Sequence, residues 1–291
     1  MPYVYLILSV FCMSTSSIFA AFYNQKTVDK KDASPLYSLI VLCTVCLGWW
    51  ILFLADGFVF EPGVLLYSLG FGACYAICNF CTILALKSGP VAITSLFLQF
   101  SLILVTLWGF IFWNAQVTPL VIVGLLLVIT SIFLCLYKGK EQKEQKGFSW
   151  KWLFFAVMTC VLNAGCTIIQ RSQQAVYDGA HGNMLMAFAM ILGLALGLFN
   201  YLRSNKSDSK TIVKSSWYFP VLKGAFNVLL NVCVMRLATS SLSSSMIYPV
   251  LAVGGLSITT LFSVLVFKER LKWWQWIGIL VGAVAVALLS I

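Results

Sequence analysis

Long apolar stretches alternate with short polar segments along the whole chain. Ten of these stretches have about the 20 residues that a helix needs to cross the hydrocarbon core of a bilayer. They are Tyr3–Asn24, Ser34–Leu54, Pro62–Leu86, Pro90–Trp113, Thr118–Leu136, Ser149–Ile169, Asn183–Arg203, Ser215–Leu237, Leu242–Phe267 and Leu271–Ser290. They lack the alternation of apolar and polar residues that is typical of membrane β-strands. The pattern predicts an all-α polytopic membrane protein with ten transmembrane helices.

Charges and prolines mark the ends of the predicted helices. All nine acidic residues lie between the apolar stretches. Pro62, Pro90 and Pro119 fall in the first turn of a predicted helix, where a missing backbone N–H is tolerated. The two longest polar linkers, Tyr137–Phe148 and Ser204–Lys214, are both rich in lysine.

The composition excludes soluble and disordered proteins. Hydrophobic residues make up 61% of the chain and charged residues 10%, against about a quarter charged in soluble proteins. We find no Gly-rich phosphate loop, no nucleophile–base arrangement and no pair of carboxylates inside a span. We therefore expect neither an enzyme nor a cofactor. The ten cysteines all lie inside spans, which favours small buried side chains over metal ligands.

The net charge of +10 reflects loops on one side of the membrane. Sixteen of the nineteen lysines and arginines lie in or beside odd-numbered loops, and two lie in even-numbered loops. Because basic loops stay cytoplasmic, the odd-numbered loops are predicted to be cytoplasmic and both termini to be outside. Charges scattered in this way do not indicate nucleic-acid binding. The predicted location is the plasma (inner) membrane.

An internal repeat divides the chain. The basic linker 139–148 separates residues 1–138 from residues 149–291, each with five predicted helices. An odd number of helices in each half places the halves in opposite orientations. Asn79-Phe80-Cys81 is repeated as Asn231-Val232-Cys233, and Gly72-Ala73 as Gly224-Ala225, at one offset of 152 residues. The sequence predicts two inverted five-helix repeats.

Short motifs resemble a known family. Met246-Ile247-Tyr248-Pro249, Phe267-Lys268-Glu269-Arg270-Leu271 and Ile277-Gly278-Ile279 are similar to the closing helix pair of EamA-type proteins of the drug/metabolite transporter superfamily. The resemblance covers the whole chain as two five-helix repeats and implies membrane transport. Two features depart from it. Ala115 stands where the repeat would place the counterpart of Glu269, and the lysines predict external termini where the family is usually drawn with cytoplasmic ones.

Polar side chains recur at helical spacing inside the predicted spans. A lone amide in hydrocarbon costs several kcal/mol, so these side chains are expected to face inward. We interpret them as the lining of a central cavity between the repeats, with hydrogen bonds between helices as the alternative for each. The candidate substrate-binding residues are Tyr75, Asn79, Gln99, Asn163, Lys223, Asn227, Asn231 and Tyr248. The repeat relates Asn79 to Asn231, which predicts a pair near the midplane.

Lys223 is the one charged residue that lies well inside a predicted span, about two turns from its end. An intramembrane charge is a functional candidate by default, here for a carboxylate or phosphate of a substrate. The alternative is a lysine that extends toward the basic side. No span contains Asp or Glu, which argues against proton-coupled export of lipophilic cations. His181, the single histidine, is interpreted as a loop residue.

These observations predict a secondary carrier or facilitator for a small organic metabolite, with a carboxylate-bearing solute as the favoured class. One alternative is an exporter of drugs or amphiphiles. The other is a non-transporting membrane protein, such as an assembly partner or a lipid scramblase. The expected partners are the small-molecule substrate and the lipid bilayer. We expect a monomer or homodimer, without a metal or cofactor.

Overall fold

A computed structural model describes residues 2–27, 30, 33–88, 91–114, 117–136, 149–204, 209–267 and 272–289. In this part of the chain the regular structure is entirely helical. The helices are α1 (Pro2–Lys26), α2 (Ala33–Ala55), α3 (Pro62–Ser88), α4 (Val91–Phe112), α5 (Pro119–Leu136), α6 (Trp150–Val176), α7 (Gly182–Leu202), α8 (Ser209–Ser216), α9 (Tyr218–Ala238), α10 (Ser244–Phe267) and α11 (Trp273–Leu289).

Ten of these helices correspond to the ten predicted stretches. Seven are long and apolar enough to cross a membrane within the described residues: α1, α2, α3, α6, α7, α9 and α10. The other three, α4, α5 and α11, contain shorter apolar segments there. The prediction of an all-α, multi-pass membrane protein is confirmed, and the count of ten spans stays a prediction.

The structure differs from the prediction in the linker before α9. The prediction placed a polar linker at Ser204–Lys214, but Ser209–Ser216 form the short helix α8. Its buried residues, Ser209, Ile212 and Ser216, lie on one helical face. Because only one of these three is strongly apolar, an average of hydropathy along the chain does not reveal the helix.

Helix α6 is also longer than predicted. The apolar stretch ends at Ile169, but the helix continues to Val176. The added turns bury Gln170, Gln173 and Gln174. Two of these glutamines hydrogen-bond each other through their side chains, which lowers the cost of burying them.

The helices form two compact units. Unit 1 comprises Met1–Ala76 and Ile169–Thr239. In it α1 packs along α9, and α2 packs against both α7 and α9. One of its cores is rich in aromatic side chains, with Tyr23 and Phe219 among its buried members. Gly197 of α7 faces Leu42 of α2 so closely that an added Cβ would lie 2.5 Å from Leu42 Cδ1, as expected for close helix packing.

Unit 2 comprises Ile77–Ile168 and Ser240–Ile291. Here α5 packs along α11, and α10 packs against α4, α5 and α11. A core of this unit is aliphatic, and its buried residues are Ile103, Val128, Ile132, Ala252, Val253 and Ala285. Gly282 of α11 brings the helices close, because an added Cβ would lie 2.5 Å from Val253 Cγ1.

Each unit takes helices from both halves of the sequence, and α3 and α6 contribute to both units. The compact units group helices by their contacts, whereas the predicted repeats divide the chain by its sequence. The predicted repeats 1–138 and 149–291, with their basic linker 139–148, therefore stay a prediction.

Candidate functional site

Lys223 lies in the second turn of α9, in unit 1. Its Nζ lies 5.1 Å from the centroid of the Tyr37 ring, and the residue is half-buried. An ammonium at this distance from an aromatic face is attracted by the ring quadrupole. Within the part of the chain that the structure describes, the Tyr37 ring is the recorded partner of this charge.

Tyr37, in the second turn of α2, carries a second hydrogen-bond donor at the same place. Its hydroxyl is buried and has no hydrogen-bond partner among the described residues. The Tyr23 ring packs against the Tyr37 ring, with the centroids 4.5 Å apart. Tyr23 is itself held, since its hydroxyl donates to Ala33 O at 2.9 Å. An ammonium over the ring of a tyrosine whose hydroxyl is buried without a partner among the described residues is an arrangement that suits an anionic acceptor.

Asn227 and Asn231 continue the polar stripe of α9. With Lys223 they are spaced four residues apart, which places them on one helical face. Asn231 Nδ2 donates to Asn227 O at 2.9 Å and to Asn227 Oδ1 at 3.3 Å. Gln170 Nε2 of α6 donates to Asn231 Oδ1 at 3.4 Å. The amides therefore form a chain from α9 to α6 within unit 1.

Two further buried glutamines lie at the end of α6 and were missed in the sequence. Gln174 Nε2 donates to Gln173 Oε1. Gln173 Nε2 donates to Ala180 O at 2.9 Å, in the turn that leads to α7. The four-residue spacing of Gln170 and Gln174 places both on one helical face and could have indicated that the helix continues. The sequence analysis ended the apolar stretch before them because Arg171 is charged.

The polar side chains of unit 2 are smaller. Asn163 Nδ2 of α6 donates to Ser101 Oγ of α4 at 2.7 Å. Thr82 Oγ1 of α3 donates to Thr159 Oγ1 of α6 at 3.4 Å. These hydrogen bonds join helices through neutral groups that are satisfied within the unit. Asn163 thus forms a hydrogen bond between helices, which is the alternative role that the sequence analysis left open for it.

The remaining predicted site residues are distributed over both units. Tyr75, in unit 1, is half-buried and stacks on Phe71 with ring centroids 6.2 Å apart. In unit 2, Asn79 is exposed and Tyr248 is 1% exposed. The side chain of Gln99 lies outside the described residues.

The predicted site residues therefore fall into two groups. Unit 1 contains Tyr75, Lys223, Asn227 and Asn231, and unit 2 contains Asn79, Asn163 and Tyr248. The pairing of Asn79 with Asn231 stays a prediction. No group of three His, Cys, Asp or Glu side chains that could hold a metal ion occurs within the described ranges. The polar groups of the candidate site are an ammonium, hydroxyl groups and amides.

Comparison with known proteins adds a family and a fold. The sequence model of the EamA-like transporter family matches residues 150–291. Among curated protein sequences, none matches this chain. A solved structure titled "Crystal structure of protein" is similar over 99% of this chain and 95% of its own, with a TM-score of 0.75 and 15% identity. At that identity the similarity establishes a shared fold. The match agrees with the family that the sequence motifs resemble.

Proposed function

From the match of residues 150–291 to the EamA-like transporter family, we propose that the protein carries a small organic anion across the membrane. The favoured substrate bears a carboxylate. The proposed mode is facilitated diffusion or exchange, because no Asp or Glu lies inside any predicted span to carry a coupling proton.

The observation that carries this proposal is the pair formed by Lys223 and Tyr37. The ammonium lies on the face of the tyrosine ring, and the tyrosine hydroxyl is buried without a hydrogen-bond partner in the described residues. A buried donor without an acceptor costs about 1–3 kcal/mol. A carboxylate would accept hydrogen bonds from both groups and would balance the charge, which a neutral solute would not do.

The amide chain supports a role for α9 beyond charge. Asn227 and Asn231 lie one and two turns beyond Lys223 on the same face. We propose that Lys223 binds the anionic group and that these amides, with Tyr75, orient the rest of the solute. The other candidates, Asn79, Gln99, Asn163 and Tyr248, stay predictions.

Helix pairing supports the inverted repeat that alternating access needs. Helix α2 packs on α7, α4 on α10, and α5 on α11. Counted along the ten long helices, each of these pairs joins a helix to the one five places later. A two-fold axis in the membrane plane would bring equivalent helices together in this way. We propose ten spans in two inverted repeats, one of which rocks against the other.

The lysine distribution sets the proposed orientation. The lysine-rich odd-numbered loops would be cytoplasmic in the plasma (inner) membrane, with both termini outside. A monomer or homodimer would form the working carrier.

The proposal is tested by the thermal stability of the purified protein in detergent. Small carboxylates, zwitterions and cations of matched size are compared, because a bound ligand raises stability by mass action. We expect carboxylates to raise the melting temperature of the wild type. Lys223→Gln should abolish the shift, and Tyr37→Phe, which keeps the ring, should weaken it.

Lys214→Gln is the matched control, because Lys214 is an exposed lysine of α8. It should leave the shift unchanged. Stabilisation by apolar cations alone would favour the drug-exporter alternative. An equal carboxylate shift in the wild type and in Lys223→Gln would contradict the proposed anion site.

A further inference from the structure

A cavity lies in unit 1, where α2 ends and α7 begins. It has a volume of about 180 Å³ and is lined by Phe53, Asp56, Val59, His181 and Met184. None of these residues belongs to the Lys223 site. An engineered apolar protein cavity of about 150 Å³ holds one benzene molecule, so this volume admits a small aromatic or short alkyl group.

The floor of the cavity is apolar and fixed. Phe53 and Met184 are both 1% exposed, and they are therefore packed within the unit. Beyond α2 the backbone reverses through Gly57 and Phe58, which have φ angles of 83° and 55°. This reversal places the Phe58 ring 4.9 Å from the Phe53 ring and leads to Val59 at the rim.

Two polar side chains, Asp56 and His181, also line the cavity. Asp56 Oδ2 accepts a hydrogen bond from Asn183 Nδ2 at 2.7 Å, which orients the carboxylate. The His181 ring lies edge-on to the Tyr177 ring at 5.9 Å between centroids. No hydrogen bond to its imidazole occurs within the described residues, so a ring nitrogen can accept one from a ligand.

The electrostatics of the cavity favour a cation. The N-terminus of α7 contributes about half a positive charge, and the C-terminus of α2 contributes about half a negative charge. These partial charges nearly cancel, which leaves the full negative charge of Asp56. The five lining residues include no lysine or arginine.

We propose that this cavity binds a small organic cation that joins an ammonium group to a short apolar or aromatic body. The ammonium would lie between the Asp56 carboxylate and the His181 imidazole. The body would rest on Phe53 and Met184. The site is separate from Lys223 in its lining residues and opposite to it in charge preference.

Benzylammonium is the probe, with benzyl alcohol and benzoate as its neutral and anionic counterparts. Thermal stability of the full-length protein in detergent is measured against the concentration of each. We expect benzylammonium to raise the melting temperature in a saturable way. Benzyl alcohol should not do so at the same concentrations, and benzoate should not do so in Lys223→Gln, which lacks the proposed anion site.

Two variants locate the site. Asp56→Asn keeps an oxygen that can accept from Asn183 but removes the charge, and it should weaken benzylammonium binding at least tenfold. Val59→Trp should fill the cavity from its exposed rim and block binding without disturbing the buried floor. Asp178→Asn is the control, because Asp178 is exposed, lies outside the cavity lining, and has a positive φ that asparagine tolerates.

Equal stabilisation by benzyl alcohol, a preference for benzoate in Lys223→Gln, no stabilisation by any probe, or an unchanged response in both Asp56→Asn and Val59→Trp would each overturn the proposal. Lys223→Gln should leave the benzylammonium response intact. Failure of this cation site is therefore distinguishable from failure of the proposed transport site.

Discussion

The two units of this protein differ in the polar side chains that they contain and in how these side chains are paired. In unit 1 a half-buried lysine lies over the ring of Tyr37, and a chain of amides runs from α9 to α6. In unit 2 hydroxyl groups and an amide pair across neighbouring helices, as Asn163 does with Ser101. The aromatic core in unit 1 contrasts with the aliphatic core in unit 2.

This difference separates recognition from packing. A hydroxyl–amide pair is complete within the protein and needs no ligand. The ammonium of Lys223 lies over the Tyr37 ring, and the Tyr37 hydroxyl has no hydrogen-bond partner among the described residues, so each keeps a proton to donate to an external acceptor. We therefore propose that unit 1 binds the charged group of the ligand and that the polar groups of unit 2 pair helices.

The largest stability effect is expected where helix backbones meet in unit 1. An added Cβ at Gly72 would lie 2.7 Å from Ala189 O, a backbone atom that cannot rotate away. Gly72→Ala should therefore destabilise the protein by about 1–3 kcal/mol, measured as a lower melting temperature in detergent.

Gly70→Ala is the control on the same helix. Its added Cβ would lie 3.5 Å from Ile169 Cδ1, which is an ordinary contact. This variant should be neutral, or more stable by up to about 1 kcal/mol, because alanine favours the helix. Equal destabilisation by both variants would argue against a close approach of backbones at Gly72.

An intermediate effect distinguishes the amides of the two units. Asn231→Leu removes two hydrogen bonds to Asn227 and one from Gln170, and it should cost about 1–2 kcal/mol. Asn163→Leu removes one hydrogen bond to Ser101 and should cost about 0.6 kcal/mol. Melting temperatures of the two variants, prepared in parallel, test the order. A larger loss of stability in Asn163→Leu than in Asn231→Leu would contradict the difference between the amide chain of unit 1 and the single hydrogen bond of unit 2.

The smallest effect is expected for a hydroxyl that joins two helices of unit 2. Ser131 Oγ donates to Gly278 O at 2.7 Å, between α5 and α11. Ser131→Ala should cost about 0.6 kcal/mol, the average for a hydrogen bond between membrane helices, and should leave ligand binding unchanged. A changed carboxylate affinity in this variant would show that unit 2 contributes to recognition.

Much of the fold follows from the sequence because lipid imposes a simple rule. Apolar stretches of about 20 residues, with charges between them, place the ten long helices. The same rule misses α8, whose buried face contains Ser209 and Ser216, and it ends α6 too early. At the end of α6 the buried glutamines have hydrogen-bond partners, and α8 is too short and too polar to show as an apolar stretch.

The site is less predictable because it depends on contacts between distant segments. Lys223 stands out as a charge inside an apolar stretch. Tyr37 does not, since a tyrosine near the start of a helix is common at a membrane interface. The cavity beside Asp56 joins the end of α2 to His181, and the 125 residues between them hide that contact from local patterns.

The most direct test of the central claim is uptake of a labelled small carboxylate into liposomes that contain the purified protein. The account predicts saturable uptake by the wild type, equal uptake by Lys214→Gln, and at least a tenfold loss with Lys223→Gln. Such a loss corresponds to about 1.4 kcal/mol or more of binding to the anionic group. Carboxylate uptake by Lys223→Gln at the wild-type rate would contradict the claim that this lysine recognises the substrate.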